Sequence, residues 1–234
     1  MKKISSYLAL GTVALVALSA LAFWPLYLSK PFRAADGYTH FHAAVGTGWL
    51  ALLLVQALLI RGDRRSAHQL FGRASFVLAP AFVVSSVLLA HFRFSRMDEA
   101  TFAREAYTLY LPVSAAVLFA AAFVCAFVWR RPASVHARFM ACTALLLLDP
   151  VLGRCLAFYL PALPEMWHYQ VITFGTEALL VWLLLRTLPP GLAGRPAFRT
   201  FAGVYVAVLL LWFFLPPTAS WLAFATWFRG LALT

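Results

Sequence analysis

The chain has 234 residues, of which 63% are hydrophobic and only 12% charged, and its mean hydropathy of +0.84 lies far outside the range of a soluble domain. The formal net charge of +11 would suit a nucleic-acid binder, but the arginines fall in short segments between apolar runs and make no basic face, so a lipid bilayer and not nucleic acid is the expected partner. The fold class that follows is all-α: a polytopic membrane helix bundle forming a single transmembrane domain over residues 1–234.

A bilayer hydrocarbon core about 30 Å thick takes roughly 20 apolar residues per helix. On that measure seven transmembrane helices are predicted, at about 7–29, 39–60, 68–91, 108–129, 135–160, 167–186 and 199–222. The first opens MKKISSYLALGTVALVALSALAF, with the basic start and small residues (Ala20, Ala22) of a signal peptide. Its apolar run continues through WPLYLS, long enough to span, so it is read as a retained helix rather than a cleaved leader. Twelve Lys and Arg residues fall on the side of the N-terminus and six on the other, which predicts N-terminus in, C-terminus out, in a bacterial inner membrane. The segment FRFSRMDEATFAREAY after His91 is amphipathic enough for a short surface helix. Cys125, Cys142 and Cys155 lie in apolar runs without C-x-x-C spacing and read as packing residues. The only lysines are Lys2, Lys3 and Lys30, so no retinal Schiff base is available in the seventh helix.

Two stretches echo each other. IRGDRRSAHQLFGRASFVLAP joins the second and third helices, and VWRRPASVHARFMACTALLLLDP joins the fourth and fifth. Each has paired arginines, a Ser two residues before a His, a further Arg and a later Pro, which suggests a duplicated hairpin over 39–91 and 108–160. His68 and His136 would then be equivalent, both at cytoplasmic helix ends.

Residues seven apart lie nearly on one line of an α-helix. His42, Trp49 and Gln56 therefore form a polar stripe about 21 Å long on the second helix. Gly46 and Gly48 beside it admit a neighbouring helix or ligand to the backbone. The block H-x-H-x6-W-x6-Q-x11-H-x3-G, here His40, His42, Trp49, Gln56, His68 and Gly72, resembles that of small bacterial multi-helix membrane proteins classed as domains of unknown function. A later HARFM turn, His136 to Met140, and a closing WLAFA segment, Trp221 to Ala225, extend the resemblance over most of the chain. It implies the fold and almost nothing about activity.

Asp149, Arg154 and Glu177 lie deep in predicted spans, where a charge costs at least about 2.5–3.5 kcal/mol. They are expected to face the interior, with Arg154 paired to one carboxylate. Pro150 would interrupt the fifth helix and free carbonyls that Arg154 can also reach.

Histidine is the commonest haem ligand, and its neutral form is tolerated in a bilayer. The leading expectation is thus a redox protein binding haem b or a quinone and exchanging with a quinone or a periplasmic redox partner. His68 and His136 would serve its inner side, and His42 with His168 or His91 its outer side, beside Trp49 and Gln56. The layout is similar in outline to cytochrome b561-type bundles, although the inner pair sits within one turn of its helix starts. The bland alternative for His68 and His136 is contact with lipid headgroups. Two other functions remain open: a cofactor-free transporter, sensor or assembly factor with a polar path between helices, and a metal-dependent membrane enzyme using His42, His91 and His168, with His40 and Asp149 or Glu177 in support. The latter ranks lower because H-x-H splits its imidazoles over two helix faces and no H-E-x-x-H occurs.

Overall fold

The computed structural model describes residues 2–160 and 166–234, with side chains over 6–160 and 169–234. All regular elements among them are helical. Helix α1 (Lys2–Phe23) widens into a π turn at Trp24–Leu28, where Pro25 removes an amide donor. Asp36 caps α2 (Gly37–Arg61): its carboxylate accepts from the Thr39 amide at 2.8 Å and the Thr39 hydroxyl at 2.7 Å, supplying a partner that the first helical turn lacks. The return arm comes in two pieces, α3 (Arg65–Gly72) and α4 (Ser75–Ser95). Asp98 then repeats the Asp36 cap on Thr101 and starts the short α5 (Glu99–Glu105), in the connection expected to lie on the surface.

The second hairpin has α6 (Tyr110–Val128) as its first arm and α7 (Ala133–Leu145) with α8 (Leu148–Tyr159) as its second. Pro150 explains the interruption. It has no N–H for the Leu146 carbonyl and its ring crowds the preceding turn, so the helix stops and restarts with proline in a first turn, where the missing donor is harmless. The chain continues through α9 (Met166–Arg186), α10 (Arg195–Leu211) and α11 (Ala219–Arg229).

Among the described residues, five helical stretches are long and apolar enough to cross a membrane: Ser6–Leu28, Gly37–Arg61, Arg65–Ser95, Glu99–Val128 and Ala133–Tyr159. The protein is therefore a multi-pass membrane protein by its helix lengths and composition. The last predicted span, 199–222, is corrected. Helix α10 ends at Leu211, and Pro216 and Pro217 separate it from α11, because neither proline can continue a hydrogen-bonded ladder.

Helix α2 packs between α1 and α4, α6 against α4 and α7, α8 between α1 and α9, and α10 on α9. One apolar core runs from Trp49 and Phe119 through Phe139 and Phe198 to Trp221, and a smaller one, with Leu15, Ala22, Leu50 and Val151, ties α1 to α2 and α8. At the arginine-rich end, Gly194 turns the chain into α10 with φ of 82°, and a Cβ there would meet the Trp129 ring at 2.7 Å. Glycine is required on both counts. Beside it Arg138, 3% exposed, donates to the carbonyls of Ser134, Leu184 and Thr187 at 2.8–3.0 Å. A cation thus closes the C-terminal end of α9, where helix carbonyls lack partners.

Candidate functional site

The stripe on α2 meets a different element at each of its three positions. His42 Nδ1 lies 3.0 Å from Ser85 Oγ on α4. That hydroxyl gives its one proton to the Phe82 carbonyl, so Nδ1 is the donor and the lone pair of His42 sits on Nε2. The ring packs on Phe82 at 5.2 Å. Trp49, fully buried, donates its indole N–H to Thr143 Oγ1 on α7 at 3.2 Å and meets the Phe119 and Phe123 rings edge-on. Its single polar atom is spent inside the protein.

Gln56 reaches α3. With its amide oriented by the surrounding donors and acceptors, the oxygen accepts from the Gly72 N–H at 3.0 Å, and the nitrogen donates to the His68 carbonyl at 3.0 Å and to His68 Nδ1. His68 Nδ1 is then an acceptor, and the ring proton of neutral His68 resides on Nε2. His136 is oriented in the opposite sense: Nδ1 donates to the Ala126 carbonyl at 2.8 Å, leaving a lone pair on Nε2. The two rings are close enough for their charges to interact. Together they present one N–H donor and one nitrogen acceptor, with no partner for either Nε2 among the described residues.

The remaining histidines differ. His40 Nε2 donates to the Phe32 carbonyl at 2.9 Å, its Nδ1 accepts from the Tyr27 hydroxyl at 2.7 Å, and its ring stacks on Phe32. His91, fully buried, donates from Nε2 to the Leu231 carbonyl at 2.8 Å and accepts at Nδ1 from Thr234 Oγ1 at 2.7 Å. Both rings are fully engaged within the chain, and His91 has no nitrogen left for a metal. The side chain of His168 lies outside the described residues. Among those described, no three His, Cys, Asp or Glu side chains come together as a metal site. Of the expected metal set His42, His91 and His168, His91 is committed to holding the C-terminal turn, and the position of His168 falls outside the described side chains.

The buried charges also depart from the expected pairing. Arg154 makes no ion pair among the described residues. Its Nη1 donates to the Pro150 carbonyl at 2.7 Å and its guanidinium lies 4.9 Å above the Phe23 ring of α1. A near carbonyl and an aromatic face replace the carboxylate partner. Asp149 Oδ1 accepts from Thr173 Oγ1 at 2.9 Å. Glu177, 1% exposed, accepts from the Tyr205 hydroxyl through Oε2 at 2.7 Å, while its Oε1 is buried without a hydrogen-bond partner. Sequence reasoning missed Ser85, Thr143, Thr173 and Tyr205. Each is a hydroxyl in a largely apolar run, Ser85 beside Ser86, and nothing in its own neighbourhood marks its partner.

No family model matches the chain, and neither a curated protein nor a solved structure matches it.

Proposed function

We propose that the protein is a multi-pass redox protein of a bacterial inner membrane, N-terminus inside, and that His68 and His136 bind a quinone at the arginine-rich end. The observation that supports this reading is the complementary pair of free Nε2 atoms. A quinone carbonyl accepts from the N–H of His68, and a quinol hydroxyl donates to the bare nitrogen of His136. Gln56 and Ala126, acting on the far side of each ring, hold those tautomers and orientations.

Haem b fits the same residues less well. Two axial ligands need two unprotonated ring nitrogens, and His68 as held by Gln56 supplies a proton instead. The other bare nitrogen among the described histidines, on His42, lies about 21 Å along α2 from Gln56 and cannot share an iron with His136. His42 fits a separate role near the opposite face, toward a periplasmic redox partner. The resemblance to multi-helix proteins of unknown function is compatible with this reading and does not narrow it.

The test is equilibrium binding of a short-chain ubiquinone to the full chain in lipid nanodiscs, together with reduced-minus-oxidised absorption spectra. His68→Ala and His136→Ala should each weaken quinone binding about tenfold or more, the loss of roughly one hydrogen bond. A b-type spectrum abolished by His68→Ala would replace the quinone with haem. A colourless protein that binds no quinone would end the redox reading.

A further inference from the structure

We propose that Glu177, together with Asp149, forms a reversible proton-binding site inside the bundle, at the break between α7 and α8. The histidine pair plays no part in it, so the site stands or falls apart from quinone binding.

The location sets the problem. Glu177 is nine residues from Arg186 at the end of α9, about 14 Å into the helix. Helices α7, α8 and α10 pack against α9, and each directs a group at this carboxyl. Tyr205 of α10 donates its hydroxyl to Oε2. The Asp149 main-chain N–H, in the first turn of α8, and the Asp149 carboxylate both act on Glu177, but Oε1 has no hydrogen-bond partner. The Cys142 thiol of α7 is also within electrostatic reach. From α9 itself, Thr173 Oγ1 links Asp149 Oδ1 to Gln170, with its oxygen 3.3 Å from Gln170 Oε1. Among the described residues the cation acting on the cluster is Arg154, which influences Asp149 while bound to the Pro150 carbonyl.

That guanidinium acts on Asp149 and forms an ion pair with neither carboxyl among the described residues. With both ionised the cluster carries one uncompensated negative charge beside the fully buried Glu177, and a buried charge without a partner is strongly unfavourable. One bound proton neutralises it. Placed on Glu177 Oε1, that proton removes the unpartnered anionic atom and leaves the Tyr205 bond to Oε2 intact. When the proton leaves, the Asp149 N–H is the available replacement donor, at a helix N-terminus that favours negative charge. The break at Leu146 and Leu147 lets the first turn of α8 adjust without bending a continuous helix.

A proton suits these groups better than a metal cation does. The hydroxyls of Thr173 and Tyr205 point their hydrogens at the carboxylates, as in a hydrogen-bonded chain. A cation held between the same oxygens would require those hydrogens to turn away.

Infrared difference spectroscopy of the full chain in nanodiscs, between acidic and alkaline pH, tests the proposal. The parent should lose a protonated-carboxyl C=O band on alkalinisation. Glu177→Gln should abolish that band, Glu177→Asp should retain it at a shifted frequency, and His68→Ala should leave it unchanged. Should Glu177→Gln fail to fold, the shifted band of Glu177→Asp carries the same assignment. A parent with no titrating carboxyl band overturns the proposal, as does a band that survives Glu177→Gln. A band that responds to sodium chloride at fixed pH, measured against choline chloride, would replace the proton with a metal cation.

Discussion

The hairpin α2–α4 and the hairpin α6–α8 share a plan: a long arm, a basic turn, and a return arm in two pieces. They differ in where the return arm breaks. In the first, α3 ends after 8 residues at Gly72, about 12 Å from its start, and Ser75 Oγ closes the gap by donating to the Gly72 carbonyl at 2.6 Å. Gln56 covers the Gly72 N–H and His68. In the second, α7 runs for 13 residues before Pro150 forces the restart, about 20 Å along. The deeper break leaves a helix N-terminus in the apolar interior, and carboxyl groups gather there. The shallow break is closed by local side chains, whereas the deep one gathers carboxyl groups from two helices, α8 and α9, with the Tyr205 hydroxyl of α10.

Trp49 joins the two hairpins, so Trp49→Ala breaks the comparison most severely. Losing a fully buried indole and orphaning Thr143 should cost about 3–5 kcal/mol, read as a lowered unfolding midpoint in detergent. Gln56→Leu turns the shallow break into an unsatisfied one by stripping partners from the Gly72 N–H and His68. A loss of about 1–3 kcal/mol is expected, along with weaker quinone binding, which a purely structural Gln56 would leave unchanged. Ser85→Ala removes the acceptor of His42 Nδ1 together with a hydroxyl donor to the Phe82 carbonyl, and the His42 bond accounts for about 0.5–1.5 kcal/mol. His42→Ala should abolish the same increment, so a double-mutant cycle that shows no coupling would contradict the bond.

The smallest effect belongs to the link between the hairpins. The Thr101 N–H and then its hydroxyl hold the Asp98 carboxyl below its ordinary value of 3.8. A group so lowered stabilises the fold at and above that ordinary value, and the contribution fades as pH falls below 3.8 through the folded value. Amide exchange at Thr101 should therefore quicken on acidification below pH 3.8, and in Asp98→Ala it should be fast at neutral pH already.

Much of the helical layout was legible because span length and seven-residue spacing are local properties of a chain. The stripe of His42, Trp49 and Gln56 needed only the helical repeat. Its partners were hidden: Ser85 lies 43 residues from His42, and Thr143 lies 94 from Trp49. Arg154 illustrates the same limit. Charge alone pointed to Asp149 or Glu177, yet the side chain folds back on a carbonyl four residues away and onto Phe23, brought there by packing between α1 and α8. The end of α10 was a different case. Pro216 and Pro217 were visible, but an apolar run on both sides of them masked the interruption.

Helix α1 is stitched to α8 by side chains from one direction. Cys155 Sγ reaches the Leu18 carbonyl at 3.7 Å, Tyr159 donates to the Leu21 carbonyl at 3.1 Å, and Arg154 covers Phe23. These partners lie more than 130 residues apart in the chain. Because synthesis runs from the N-terminus, α1 is made before both hairpins and waits through their making before its contacts with α8 exist. During that interval α2 is the neighbour that holds it among the helices described, and the closure of α8 over α1 becomes a late event in assembly, one that a ribosome-stalled chain ending before residue 150 could not yet make.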